Sequence, residues 1–198
     1  MNKIKLIVGL ANPGVKYAKT RHNIGSLYIR LLANYYNKKL KQESKFFGFT
    51  TFININNINI YLLIPTTFVN LSGKSVLAMM NYYNINADEI LIVHDDLDLP
   101  TGIAKIKFGG SNAGHNGLKN IQSNLNNNSN YYRLRIGIGH PGDKNKVINY
   151  VLEKPTIFEQ KLINDVIKKV ISCTDILFFY DKYKELNYSH IFKATNYE

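Results

Sequence analysis

The chain has 198 residues and 45% hydrophobic content, enough for a full core and little more than one domain. Its 25 Lys and Arg against 14 Asp and Glu give a formal charge of +11, which disfavours cationic partners and makes nucleic acid the first polyanion to consider. Cys173 is the only cysteine, which excludes an intrachain disulfide and points to a reducing compartment.

Lys5 to Gly9 is a continuous apolar run closed by Asn12-Pro13-Gly14, the pattern of a buried strand. That run is too short to span a membrane and has no cleavage site after it, so the segment reads as the first strand of a cytoplasmic protein. From Asn23, Ile24, Leu27, Tyr28, Leu31, Leu32 and Tyr35 fall at helical spacing. Phe46–Ile55 and Asn59–Ile64 read as strands joined at Asn56-Asn57. A helix follows over Ser72–Tyr83, with Val76, Met79, Met80 and Tyr83 on one face.

Glu89–Val93 and Ile103–Phe108 are again strands, followed by a polar loop, Gly109–Gly114. A helix bearing Leu118, Ile121 and Leu125 comes next, then a strand over Tyr132–Ile138. Thr156–Ser172 predicts a helix with Phe158, Leu162, Val166, Ile167 and Val170 as its stripe; Cys173 beyond it is expected to be buried and inert. A loosely held tail is expected from Tyr183. The alternation predicts a single α/β domain over residues 1–198, with a twisted, mostly parallel (mixed) central sheet flanked by helices on both faces.

In such sheets ligands collect at the carboxyl ends of strands. Asn12 follows the first strand, Asn70 follows Ile64-Pro65, and Asp95 follows Val93, so all three can line one crevice, with His22 at the mouth of the first helix. Histidine takes a proton near neutral pH, and a carboxylate on its far nitrogen would fix its tautomer. No G-x-S-x-G turn, dinucleotide fingerprint or phosphate loop is present, and Ser72 stands where a helix cap belongs. Water is then the expected nucleophile, acting on an activated ester. Asn side chains could hold peptide amides and an oxyanion.

Other readings of the same residues stay open. Asp95, Asp96 and Asp98 could form a metal cluster, or Asp96 and Asp98 could face solvent or cap a turn. Asn70 could be a turn residue and Asn116 a helix cap. Lys105 with Lys107, and Arg133 with Arg135, share strand faces and could hold phosphates or simply be solvated.

Five blocks in order resemble the bacterial peptidyl-tRNA hydrolase family. They are L-I-V-G-L-A-N-P-G-x-x-Y-x-x-T-R-H-N-x-G, P-T-T-F-V-N-L-S-G-K-S-V, H-D-D-L-D-L-P, G-G-S-N-A-G-H-N-G-L-K and R-L-R-I-G-I-G-H-P-G, and the likeness runs to about Cys173. The resemblance implies hydrolysis of the ester between a peptide and the 3′-terminal ribose of tRNA, with His22 as general base, Asp95 stabilising its reactive form and Asn12 admitting N-blocked substrates. It implies that Tyr17, Phe68, Asn70 and Asn116 contact the peptide and the acceptor end. Lys107 and Arg135 would clamp the 5′ phosphate, with Lys105 and Lys144 auxiliary. It further implies a monomer with no metal or cofactor; with no run long enough to span, no membrane partner is expected. Departures from the family pattern are Val69, where methionine is common, and the loop Ser111-Asn112-Ala113. The alternatives are an RNA-binding protein of the same fold without hydrolase activity, and a metal-dependent nuclease built on the Asp-rich block.

Overall fold

The structure, a computed structural model, describes residues 4–174 and 191–195. Its strands are β1 (Leu6–Gly9), β2 (Lys41–Glu43), β3 (Gly48–Ile55), β4 (Ile58–Pro65), β5 (Ile90–Asp96), β6 (Ile103–Phe108), β7 (Tyr132–Gly137) and β8 (Ile191–Lys193). The α-helices are α1 (Ile24–Tyr35), α2 (Ser72–Tyr83), α3 (Asn116–Asn124), α4 (Val147–Leu152) and α5 (Ile157–Ser172). All the strands lie in one mixed sheet of order β2-β3-β4-β1-β5-β7-β6-β8. Pairing is parallel in the middle, where β1 lies between β4 and β5 and β7 follows β5. It is antiparallel at both margins, in β2–β3–β4 and in β7–β6–β8.

Parallel strands buried on both faces should be apolar throughout, and Leu6, Ile7, Val8, Ile90, Leu91, Ile92 and Val93 are all buried. Alternation splits them between two cores. Ile7, Leu91 and Val93 join α1 and α5 on one face, whereas Leu6, Val8, Ile90 and Ile92 join α2 and α3 on the other. The β3–β4 hairpin turns at Asn56 and Asn57, both at positive φ, as a two-residue connection requires.

Several boundaries differ from the sequence expectation. Strand β5 extends through Asp96, so Asp95 sits inside its end rather than after it. Ser72 begins α2 instead of capping it, and His115, not Asn116, caps α3. The buried stripe of α5 is Ile163, Val166, Ile167, Val170 and Ile171; Phe158 is exposed in the first turn of the helix, as is Ile157. Tyr35 is likewise exposed at the end of α1. Cys173, expected to be buried, is only partly covered at the C-cap of α5. Most of the expected loose tail lies outside the described residues, but Ile191–Lys193 within it is a strand with Phe192 buried against β6.

Candidate active site

The first helix reaches the sheet because two glycines let backbones touch. A Cβ on Gly25 would stand 2.4 Å from both Leu10 N and Val93 O, and one on Gly9 would stand 2.2 Å from Gly25 O. This contact sets the one-turn 3-10 helix Arg21–Asn23, which leads into α1, against the ends of β1 and β5. The buried amide of Asn23 reinforces it. Asn12 N donates to Asn23 Oδ1 at 2.9 Å and Asn23 Nδ2 donates back to Asn12 O at 2.9 Å.

His22 thereby meets Asp95, with Nδ1 2.9 Å from Oδ1 and 3.0 Å from Oδ2. A second imidazole reaches the same carboxylate, His115 Nε2 lying 3.1 Å from Asp95 Oδ1. His115 Nδ1 accepts from Gly117 N at 3.1 Å and Leu118 N at 3.4 Å, capping α3. Its proton is therefore on Nε2, donated to Asp95. Asp95, ionised, accepts from both rings, so the proton of neutral His22 is on Nδ1 and its lone pair is on Nε2.

The charges follow this wiring. Burial disfavours the imidazolium of His22, but the charge and hydrogen bond of Asp95 outweigh it and raise the His22 pKa above the ordinary value. Burial alone would raise the Asp95 pKa; His22 and His115 instead hold it well below the carboxylate range. His94 lies behind, its ring 5.1 Å from that of His115 and its Nδ1 donating to Asp95 O at 2.7 Å. Burial and His115 push the His94 pKa down to about 3, so it is neutral at pH 7.

The three asparagines come from different elements. Asn12 Oδ1 accepts from Val69 N at 3.0 Å, which ties the β1 exit to the 3-10 turn Val69–Leu71 carrying Asn70. Asn116 opens α3 beside His115, and that helix packs so closely that a Cβ on Gly117 would stand 2.8 Å from Val69 Cγ2 and 2.9 Å from Leu10 Cδ1. Asn70 and Asn116 are exposed, as is Phe68, a large apolar ring left open next to the turn. Tyr17 is half-buried in the 3-10 turn Val15–Tyr17, with the Lys16 ammonium 5.6 Å from its ring.

The basic residues divide. Lys105 faces Arg135 and Lys107 faces Arg133 across the β6–β7 pair. Their neighbours Ala104, Leu134 and Ile136 point into the core under α5, so the cations share the opposite sheet face. Arg133, grouped by spacing with the phosphate contacts, is instead buried, and its guanidinium donates to the carbonyls of Ser111 and Gly110. Arg135 is paired with Asp96 and stays partly exposed. Lys107 is exposed. Lys144 is not on this strand pair but in the 3-10 turn Lys144–Lys146.

The acidic block does not form an oxygen cage. Asp96 is buried, accepts from Asp98 N at 2.9 Å and pairs with Arg135, while Asp98 is exposed. Among the described residues, the grouping able to close on one ion is His22, Asp95 and His115. Its nitrogens facing Asp95 carry the protons of the hydrogen bonds just described, and a cation there would have to displace them.

The model of the peptidyl-tRNA hydrolase family matches residues 6–196. The chain belongs to the peptidyl-tRNA hydrolase family. It is 62% identical over 194 residues to the peptidyl-tRNA hydrolase of Proteus mirabilis, covering 98% of this chain and 100% of that one. It is 60% identical over 195 residues to that of Photorhabdus laumondii, with the same coverage. The crystal structure of the Acinetobacter baumannii enzyme superposes with a TM-score of 0.87 at 42% identity over 93% of each chain. The activity that goes with this family is hydrolysis of the peptidyl-tRNA ester. No described helix is long and apolar enough to cross a membrane.

His115 is the residue that sequence reasoning passed over. It stands in G-H-N-G, where it reads as the edge of a loop, and only its packing against Asp95, 20 residues earlier, reveals it.

Proposed function

We propose that His22 is the general base and Asp95 the group that orients it in peptidyl-tRNA hydrolysis. The observation that carries this reading is the double contact of His22 Nδ1 with the Asp95 carboxylate, at 2.9 and 3.0 Å, which leaves Nε2 as a proton acceptor. Water gives a proton to Nε2 as its oxygen attacks the ester carbonyl, and the imidazolium is stabilised by Asp95. The tetrahedral oxyanion is held by asparagine amide N–H groups. It collapses with loss of the ribose oxygen, which takes the proton back from His22, giving a peptide acid and free tRNA. His115 restrains Asp95 from the other side and leaves its charge available to His22.

Asn12 spends its side-chain oxygen on Val69 N, so its NH₂ is the donor it offers, a means of selecting N-blocked substrates. Tyr17, Phe68, Asn70 and Asn116 contact the peptide and the acceptor end. Lys107 and Arg135 clamp the 5′ phosphate of the acceptor stem, with Lys105 and Lys144 as auxiliary contacts, and the protein works as a cytoplasmic monomer.

The test is incubation of N-acetyl-aminoacyl-tRNA and free aminoacyl-tRNA with the protein in EDTA, following release of the amino-acid portion. Rapid cleavage of the blocked ester alone, abolished by His22→Ala, is expected. Binding without cleavage would leave an RNA-binding protein of this fold, and chelator-sensitive cleavage of the RNA chain would indicate a nuclease.

A further inference from the structure

His22 sits in the middle of a single 3-10 turn, a geometry too short to hold itself. Its successor, Asn23, is fastened to Asn12 by the paired amide bonds. Its predecessor, Arg21, is fastened to other elements, α4 and the start of α5, and takes no part in the proton transfer. Arg21 is 6% exposed. Its Nη2 lies 2.9 Å from Glu159 Oε2 at the start of α5, and its Nη1 donates to Tyr150 O in α4 at 3.2 Å. The guanidinium carbon is 4.0 Å from the centre of the Tyr150 ring, and Arg21 N donates to Glu153 O at 3.0 Å.

These contacts close a circuit. Tyr150 Oη donates to Ile138 O at 2.6 Å, and Ile138 N donates to Asp96 O at 3.0 Å. Asp96 follows Asp95, and Arg21 precedes His22. The base and its carboxylate are thus joined twice, once by their own hydrogen bond and once through Arg21, Tyr150, Ile138 and Asp96.

We propose that Arg21, held by Tyr150 and Glu159, is a positioning residue that fixes the direction of the His22 ring toward Asp95. This rests on the reading of His22 as the base. Glu159 stays partly open to solvent, and such an ion pair adds little net stability; Arg21 Nε is moreover buried without a partner among the described residues, so the arrangement is poorly explained as a stabilising device. Lysine could keep the charge but not the fork that reaches Glu159 and the Tyr150 carbonyl while sitting over the Tyr150 ring.

Loosening the turn should lengthen the His22–Asp95 contact and lower the His22 pKa, since Asp95 is what holds it up. The titratable groups against His22 are Asp95 from β5 and His115 from the start of α3. From α4 and α5, Tyr150 and Glu159 face Arg21 instead, and α1 carries its charge at Arg30, exposed over Phe49.

The test compares Arg21→Met, Arg21→Lys and Glu159→Gln with the parent protein. The His22 ring is titrated by NMR and kcat and KM are measured across pH. We expect the His22 titration and the acid limb of kcat to move together to lower pH in Arg21→Met. We also expect kcat to fall by about tenfold or more with KM within about twofold. Arg21→Lys should recover only part of the loss, and Glu159→Gln, which keeps shape and spares the turn, should shift both readouts in the same direction by less. A reduced melting temperature with the His22 titration unmoved in all three would overturn the proposal. So would a shift in Arg21→Met that Arg21→Lys fully restores, since charge alone would then suffice. If Arg21→Met does not fold, Glu159→Gln decides: an unmoved His22 titration there overturns the proposal. The NMR titration reads the His22–Asp95 contact whether or not His22 is the base, which His22→Ala tests separately.

Discussion

The histidine–aspartate cluster and the cationic face of β6–β7 lie on the same sheet and are built on opposite terms. In the cluster, Asp95 is buried and shared between two imidazoles, and the ring directions are set by bonds to backbone or carboxylate. On the β6–β7 face, Lys107 is exposed and Arg135 only partly covered, on a strand pair whose other face is core. The first arrangement suits a reaction that needs one proton acceptor at one place. The second suits a polyanion, whose charge can be met by flexible side chains at several distances. Arg133 shows the boundary between them: one register step from Arg135 on the same face, it belongs with the rigid part.

The largest effect is expected at the cluster. His22→Ala should lower kcat by about a hundredfold to ten-thousandfold with little change in tRNA binding, checked by single-turnover kinetics beside a binding titration. Equal losses in both would remove His22 from the chemical step.

Within the basic pairs, Arg133→Met and Lys107→Ala should separate cleanly. The first strips the bonds from the Gly110 and Ser111 carbonyls and should cost about 2 kcal/mol of unfolding free energy, read by urea denaturation. The second should leave stability unchanged but weaken tRNA binding and reduce its log–log salt slope by about one. A salt slope unmoved by Lys107→Ala, or lowered equally by Arg133→Met, would redraw the phosphate site.

The smallest effect concerns the back of the cluster. The pKa of His94 is pushed down to about 3, so the unfolded chain binds more protons than the folded one between there and the ordinary histidine value near 6.5. Stability contributed by neutral His94 is therefore full above that upper value and falls as the solution is acidified. His94→Met should flatten this slope, so that the urea midpoints at pH 5 and pH 7 lie closer together than in the parent protein. His22, with its raised pKa, acts in the other direction: its contribution is full below the ordinary histidine value and is lost as pH rises through the folded one.

The sequence carried the elements well and the connections between them less well. Apolar runs such as Leu6–Gly9 and Ile90–Val93 have no other reasonable reading, and the Asn56-Asn57 turn gives its hairpin directly. Strand β2, the six-residue helix α4 and strand β8 lack that signal because they are short and mostly exposed, so little apolar periodicity marks them. Strand-end logic foresaw that His22 would lean over Asp95 and that Asn12 would lie beside the turn carrying Asn70. It could not find His115, whose role is created by the helix it caps. Nor could spacing separate Arg133 from Arg135, since alternation reports the face of a strand and not what a neighbouring loop places over it.

Strand β8 has a bearing on how the protein is handled in the laboratory. It pairs with Ile103–Lys105 of β6, and Ala194 N adds a bond of 2.7 Å to Gly102 O. Without those residues β6 would become the margin of the sheet, presenting a row of free amides and carbonyls to any other copy of itself. Shortening the chain ahead of Ile191, as a trimmed expression clone would, should therefore favour edge-to-edge self-association, with the lysine side chains of β6 as the remaining deterrent.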